Sequence, residues 1–432
     1  MYEWHSRTRG IKASLATGFL ILIGMTVLWV VFELDDFRTA NLASEHSIEE
    51  TLSAAVRNQL AKLWRSQAHF GQRADTLSSV APDVVDEGNQ THSGAKKELK
   101  HRPRVFDMIL LNDELDTLEI RLNELHSVVD VFFIMEAGYT FSGKPKPLYF
   151  SDNETRFRQF RDKIVHVTIP HLSPDDEKQY VQDGGWANEK FARNIGFKIA
   201  TDARKPNDGD WIIVSDLDEI PKRSFLETVK APNPDTDIGR RLLEGFPESD
   251  GDVLKLGCRF YYYSYEYRHR GDWYGPTLMR YRDPDSPIFT RPGSDPYPGL
   301  DMIQHIMEND WADAGRRLRD RDVGNTPYFD GQCHHCTWCF SNITAVIRKM
   351  QSYSHTEHSQ STYTNKKWIL DHFSQGIDLF DRGDEIYDYV EDNQDLPQYI
   401  RDNSEKFSFM LRRKGLANAG FIDVDPTNPL AE

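Results

Sequence analysis

The chain has 432 residues, 39% of them hydrophobic, and a formal charge of −16. That is enough apolar material for one large core or two ordinary ones. A surplus of negative charge repels a phosphate backbone, and no block of basic residues offsets it locally, so a nucleic-acid partner is excluded.

The first element is Ala13–Phe32, 20 residues without a charged side chain. As a helix at about 1.5 Å per residue it is roughly 30 Å long, enough to cross hydrocarbon. A cleaved signal peptide would carry an apolar stretch of only about 7–15 residues ending in small side chains, whereas this one ends in Trp29-Val30-Val31-Phe32. Arg7, Arg9 and Lys12 precede it and Glu33, Asp35 and Asp36 follow, so the positive-inside bias predicts a single-pass type II anchor with residues 1–12 in the cytosol. The four cysteines then fall where disulfides are permitted. Residues 33–103 read as a stem. Ile48, Leu52, Val56, Leu60 and Leu63 stand at helical spacing there, a stripe that either joins two copies into a homodimer or folds back as a surface helix.

From residue 104 the pattern becomes β-α-β. Arg104–Leu111 is a strand; Leu115, Leu118, Leu122 and Leu125 mark the core face of a helix; Val129–Glu136 and Ile164–Ile169 are further strands. Ala187, Phe191, Ile195 and Ile199 mark another amphipathic helix before the apolar run Trp211-Ile212-Ile213-Val214. Alternating strands and helices predict an α/β fold whose mostly parallel sheet is covered on both faces. Ligands of such sheets sit beyond the carboxyl ends of the strands. The domain is expected to run over 104–415, and the polar segment 416–432 to fray.

The run ending Ser215-Asp216-Leu217-Asp218-Glu219-Ile220-Pro221 places three acids at the end of a buried strand. Charges there are costly unless something compensates them. On an extended backbone Asp216 and Asp218 point the same way and can share one hard divalent cation. Such a cation would neutralise the diphosphate of a nucleotide sugar; the plainer alternative is a solvated turn capping the next helix. Arg193 on the preceding helix and Lys144 in the Gly143-Lys144-Pro145-Lys146 loop are candidate phosphate ligands, or ordinary surface charges. Asn112, Asp113 and Glu114 follow the first strand at its carboxyl end, where they either bind a uridine or ribose or cap the next helix. Cys333, His334, His335, Cys336 and Cys339 crowd into seven residues, which invites a zinc site. A distant second ligand pair is missing, so disulfides are the simpler expectation.

Several of these motifs, in order, resemble the family-17 glycosyltransferases, which include bisecting N-acetylglucosaminyltransferases. They are Val105-Phe106-Asp107, the run Asn112–Leu125, Glu136, Thr140–Leu148, the segment Ser215–Pro221 and His335-Cys336-Thr337-Trp338-Cys339-Phe340, spread over about 104 to 370. The resemblance implies a GT-A-like transferase domain with a lumenal Golgi location. It also implies inverting transfer of N-acetylglucosamine from UDP-GlcNAc, with Mn2+ at the D-x-D, in β-1,4 linkage to a mannose of a glycoprotein N-glycan. It suggests His335 as a third metal ligand beside Asp216 and Asp218, and a Cys336–Cys339 bridge that leaves Cys258 to pair with Cys333. Inversion requires a carboxylate to take the acceptor proton, for which Asp330 and Asp272 are the candidates. A transferase for another nucleotide sugar or acceptor, and a membrane-tethered metal-binding interaction protein, are the competing readings.

Overall fold

A computed structural model describes residues 102–172, 186–244, 253–281 and 326–431. The expected span at 13–32 and the stem up to residue 101 lie outside the described residues. No helix among the described residues is long and apolar enough to cross a membrane.

The expected strands form where the apolar runs stand: β1 (Val105–Leu111), β2 (Val131–Ala137), β3 (Ile164–Ile169) and β4 (Trp211–Asp216). They pair in parallel, β1 with both β2 and β4, and β2 with β3. Strands covered on both faces need apolar side chains at almost every position, and all seven residues of β2 are buried. Helix α1 (Leu115–Leu125) connects β1 to β2, and α2 (Ala187–Ala203) leads into β4. After β4 come the short β5 (Glu219–Pro221) and α3 (Arg223–Lys230), then β6 (Val253–Tyr262), β7 (Ser264–His269), β8 (Thr277–Arg280) and β9 (Tyr328–Thr337). Helices α4 (Ile343–Ser352) and α5 (Lys366–Gln375) and the strand β10 (Tyr387–Tyr389) follow. The sheet order is β10-β7-β6-β8-β4-β1-β2-β3, with β9 pairing both β5 and β6.

Alternation along β1 sends Val105 and Ile109 to one face, with Leu118 and Leu122 of α1 and Phe225 of α3, and Phe106 and Met108 to the other, with Phe191 and Phe197 of α2. The buried side of α2 runs through Phe191, Asn194, Phe197, Ala200 and Thr201. Ile195 and Ile199 pack at its edge, so the expected stripe is rotated from the true face. Gly196 allows the close approach: a Cβ there would meet Met135 Sδ at 2.9 Å.

The segment after Leu416 is packed rather than frayed. Ala419, Phe421 and Val424 are buried with Tyr263, Phe373 and Trp338, and the Asp423 carboxylate accepts from the amides of Ile343 and Thr344 at the start of α4. Asn342 completes that cap by accepting from Ala345 N at 2.7 Å. Cys258 pairs with Cys333 and Cys336 with Cys339, so no thiolate is left in the Cys/His cluster for zinc.

Candidate active site

Strand order reverses between β1 and β4, because successive strands run outward from β1 to β3 and the chain then returns to β4 on the other side of β1. A crevice opens beyond the carboxyl ends of strands at such a point. A cavity of about 530 Å³ lies there, lined by Asn112 and Glu114 past β1, Asp216 and Asp218 at the end of β4, His335 of β9 and Lys349 of α4.

The D-x-D turn is built from within. Arg121 of α1 has no exposed surface. It grips both carboxylate oxygens of Asp107 in β1 at 2.6 and 2.9 Å, and donates to Ser215 Oγ at 2.6 Å. It also donates to the carbonyls of Asp216, Leu217 and Glu219 at 2.8, 3.2 and 2.8 Å. Glu219, also fully buried, accepts from Asp216 N at 2.8 Å and from the Trp273 indole. The chain turns at Leu217–Asp218, so the extended backbone assumed for the two acids is absent, and the two carboxylates, both on the cavity lining, take different partners. Asp216 Oδ1 takes Arg193 Nη2 at 2.7 Å, and the same guanidinium is held by Glu189. Burial opposes the Arg193 charge, but Asp216 and Glu189 outweigh it and raise its pKa.

Asp218 faces β9. Antiparallel pairing of β5 with β9 sets Glu219 opposite His335, which brings His335 Nε2 to 3.6 Å from Asp218 Oδ1, while Lys349 Nζ stands 3.5 Å from Oδ2. Burial alone would raise the Asp218 carboxyl; Lys349 and His335 overcome it and pull its pKa down to about 2. Lys349 is in turn disfavoured by burial and lifted above the usual lysine range by Asp218, Glu114, Asp216 and Asp113. His335 lies between Phe260, stacked at 4.7 Å, and Trp273 at 5.4 Å; its Nδ1 is buried without a hydrogen-bond partner. His334, one step along the strand, points the other way and binds Asp395 at 2.9 Å.

Asn112, Asp113 and Glu114 form a tight loop. Glu114 Oε2 accepts from the amides of Asn112 and Asp113 at 3.3 and 3.1 Å, and Asn112 Nδ2 donates to Ser352 Oγ at 3.0 Å. Asp113, whose side chain is 1% exposed, pairs with Arg348 at 2.7 Å; burial and the neighbouring Glu114 nevertheless raise its pKa to about 6. None of the three caps α1 through its side chain as expected of an N-cap, since Glu114 at that position makes no such bond.

Four expected positions fall elsewhere. Asp113, its side chain buried on Arg348, does not line the cavity. Lys144 is exposed and does not line the cavity; Lys146 does, donating to Asn112 O at 3.1 Å. Thr140 N bonds Lys144 O, and Tyr139 bridges Pro145, which turns Lys144 outward. Asp272 is held by Arg259 at 2.9 Å, and Asp330 accepts from Tyr274 at 2.6 Å; neither lines this cavity. Two lining carboxylates were not among the sequence-based candidates: Glu189, which holds Arg193, and Glu385, paired with His269 Nε2 at 3.0 Å. The second of these lies well down the chain. It sits in an irregular polar stretch whose spacing carries no signal.

The profile of glycosyltransferase family 17 matches residues 81–289 and 324–416. Among curated proteins, the chain is 25% identical over 322 residues to the Homo sapiens β-1,4-mannosyl-glycoprotein 4-β-N-acetylglucosaminyltransferase, covering 71% of this chain and 55% of that protein. The Rattus norvegicus protein of the same name gives 25% over 321 residues, 71% and 54%. The chain thus spans about half the length of the curated relatives it matches. Among solved structures, glucosyl-3-phosphoglycerate synthase from Mycobacterium tuberculosis with Mn2+ and UDP-glucose aligns at 15% identity and a TM-score of 0.19, covering 37% of this chain and 44% of that one. A second structure of that enzyme, with Mn2+, UDP and phosphoglyceric acid, aligns at 13% and 0.24 over 54% and 70%. Those scores are too low for the likeness to carry any argument about the fold or the site.

Proposed function

Because this chain belongs to glycosyltransferase family 17 and is therefore a glycosyltransferase enzyme, we propose that the cavity beyond β1 and β4 binds UDP-GlcNAc in a GT-A-like domain. In this reading N-acetylglucosamine passes, with inversion, in β-1,4 linkage to a mannose of a glycoprotein N-glycan. The observation that carries the proposal is the D-x-D turn facing His335 at the point where the sheet order reverses. The relatives' activity supports the sugar and the linkage, and the family resemblance supports the UDP carrier. On the charge pattern around Ala13–Phe32 we place the enzyme in the Golgi membrane with residues 33–432 in the lumen, its stem available for homodimer formation.

A carboxylate oxygen of Asp218 and an imidazole nitrogen of His335, both partly buried and facing one another, fit a divalent cation such as Mn2+. These two residues would hold it, with Asp216 close by on Arg193. Such a cation supplies charge neutralisation to a departing diphosphate. Arg193, Lys349 and Lys146 line the same cavity and add fixed positive charge for the phosphates. The ribose and uracil fall to Asn112 and Glu114, which line the cavity, with Asp113 fixing their loop through Arg348. Among the carboxylates lining the cavity, Glu114 is tied to backbone amides, Glu189 and Asp216 to Arg193, and Asp218 to Lys349, whereas Glu385 pairs with the imidazole of His269, a group able to pass a proton on. That leaves Glu385 as the base: it takes the acceptor hydroxyl's proton as that oxygen bonds the anomeric carbon and the bond to the diphosphate oxygen breaks.

The test measures UDP affinity by calorimetry with and without Mn2+, beside transfer rates, on the full chain. Asp218→Ala should lose Mn2+-dependent UDP binding and transfer together. Glu385→Gln should keep UDP binding and lose about 10²–10⁴ in kcat, with Asp272→Asn and Asp330→Asn run beside it. If Asp218→Ala retains Mn2+-dependent UDP binding and normal rates, the site is elsewhere; if Glu385→Gln turns over normally while Asp272→Asn or Asp330→Asn keeps UDP binding and loses turnover, the base is the aspartate replaced in that variant.

A further inference from the structure

Among the described residues, only one group of three metal-ligating side chains has all its ligand atoms within 4.8 Å of one another, and it is not the D-x-D. It is His355, Glu357 and His358, in the segment that follows α4. His355 Nδ1 lies 2.7 Å from Glu357 Oε1, and His358 Nε2 lies 3.8 Å from the same oxygen. The shorter contact is a hydrogen bond; metal–ligand bonds of about 2.0–2.2 Å in a tetrahedron put donors a little over 3 Å apart, so seating an ion requires the exposed Glu357 carboxylate to draw back from His355 by less than about 1 Å, while His358 already stands near that spacing.

The rings are held in place by packing. His358 is stacked on Phe380 at 4.0 Å, and His355 stands edge-on to Trp186 at 4.6 Å and against Tyr353 at 5.5 Å. Glu357 is exposed, so one carboxylate can swing onto an ion at little cost.

We propose that His355, Glu357 and His358 form a second metal site, specific for a zinc-class ion, at the rim of the cavity, and that its occupancy clamps the rim and slows passage of the nucleotide. Two imidazoles and one carboxylate, with a remaining position for water, are a zinc donor set. Nitrogen ligands favour zinc over manganese, whereas Asp218 offers hard oxygen. Both histidines line the cavity, and the segment is already tied to α2, because Ser354 Oγ donates to Glu189 Oε2 at 2.5 Å. Glu189 holds Arg193, which holds Asp216. Fixing His355 and His358 on one ion therefore immobilises a wall that reaches the D-x-D turn through three side chains. Metal binding stands apart from the proposed donor; the effect on nucleotide passage rests on that reading.

The experiment is titration of the full chain with Zn2+ by calorimetry and with Co2+ by visible absorption, for wild type, Glu357→Gln, His355→Asn and Asp218→Asn, with circular dichroism checking the fold of each. Wild type and Asp218→Asn should take up an ion with the strong visible bands of four-coordinate cobalt, and the rim variants should lose it or weaken by at least about 10-fold. Retention of the bands and affinity by both rim variants, or their loss only in Asp218→Asn, overturns the site. Stopped-flow release of a fluorescent UDP analogue reads the second part: Zn2+ should slow release from wild type and leave Glu357→Gln unaffected. Equal release with and without Zn2+ in wild type, while the cobalt bands persist, overturns the clamp and leaves the metal site standing.

Discussion

Arg121 shows how a residue that touches no ligand fixes the site. It is fully buried among leucines and spends all its donors on Asp107, Ser215 and the three carbonyls of the D-x-D turn. Removing one partner of a buried ion pair leaves an uncompensated charge, at about 3–5 kcal/mol. Arg121→Met should therefore lower unfolding stability in urea by about that much, and Asp107→Leu added to it should recover a large part; a strictly additive double variant would show that the two do not depend on each other. The position was open to inference, because Arg121 stands three residues after Leu118 and four before Leu125, on the apolar stripe, facing an acid inside a buried strand. Which lysine of the 143–146 loop turns inward was not, since a local backbone pairing decides it. The same holds for Glu385, brought to the cavity by a long-range pairing of β10 with β7 that leaves no periodicity in the sequence.

At the scale of elements, β1 to β4 are legible to within about two residues because strands covered on both faces must be apolar at nearly every position. The later strands are not. β6 and β9 are rich in Tyr, His and Cys and earn their pairing from one another and from the Cys258–Cys333 bridge. The C-terminal segment was misread for the opposite reason: its composition is polar, yet Ala419, Phe421 and Val424 are buried and Asp423 caps α4. Since α4 carries Lys349, this segment supports the site. Phe421→Ala should cost about 3–5 kcal/mol, and a chain stopped after Leu416 should lose more, read as a lower thermal midpoint and weaker UDP binding. A truncated chain with an unchanged midpoint would mean that the segment is dispensable.

Among the described residues, the parallel half presents the D-x-D turn and the mixed half presents His335, and they meet through β4 on β8 and β5 on β9. Strand β9 carries two cysteines around that histidine, Cys333 two residues before it and Cys336 immediately after it, and a third, Cys339, lies just beyond the strand. The two bridges differ in what they constrain. Cys258–Cys333 closes a loop with a sequence separation of 75 and staples β9 to β6, whereas Cys336–Cys339 spans only 3. In the chain-entropy account the long loop is worth about 4 kcal/mol and the short one about 2. The short bridge instead shapes the turn holding Trp338, which adopts a positive φ of 60° and places its ring 5.6 Å from Lys349 Nζ. Replacing Cys258 and Cys333 with Ser should thus lower stability the more, by about 2 kcal/mol beyond the other pair. Replacing Cys336 and Cys339 should weaken UDP binding out of proportion to its smaller loss of stability, because Lys349 and Asp218 lose their fixed spacing. Urea unfolding and UDP calorimetry on the two double variants separate these effects. Equal stability losses with UDP binding intact in both would show that the bridges merely staple β9, and that the turn at Trp338 does not set the position of Lys349.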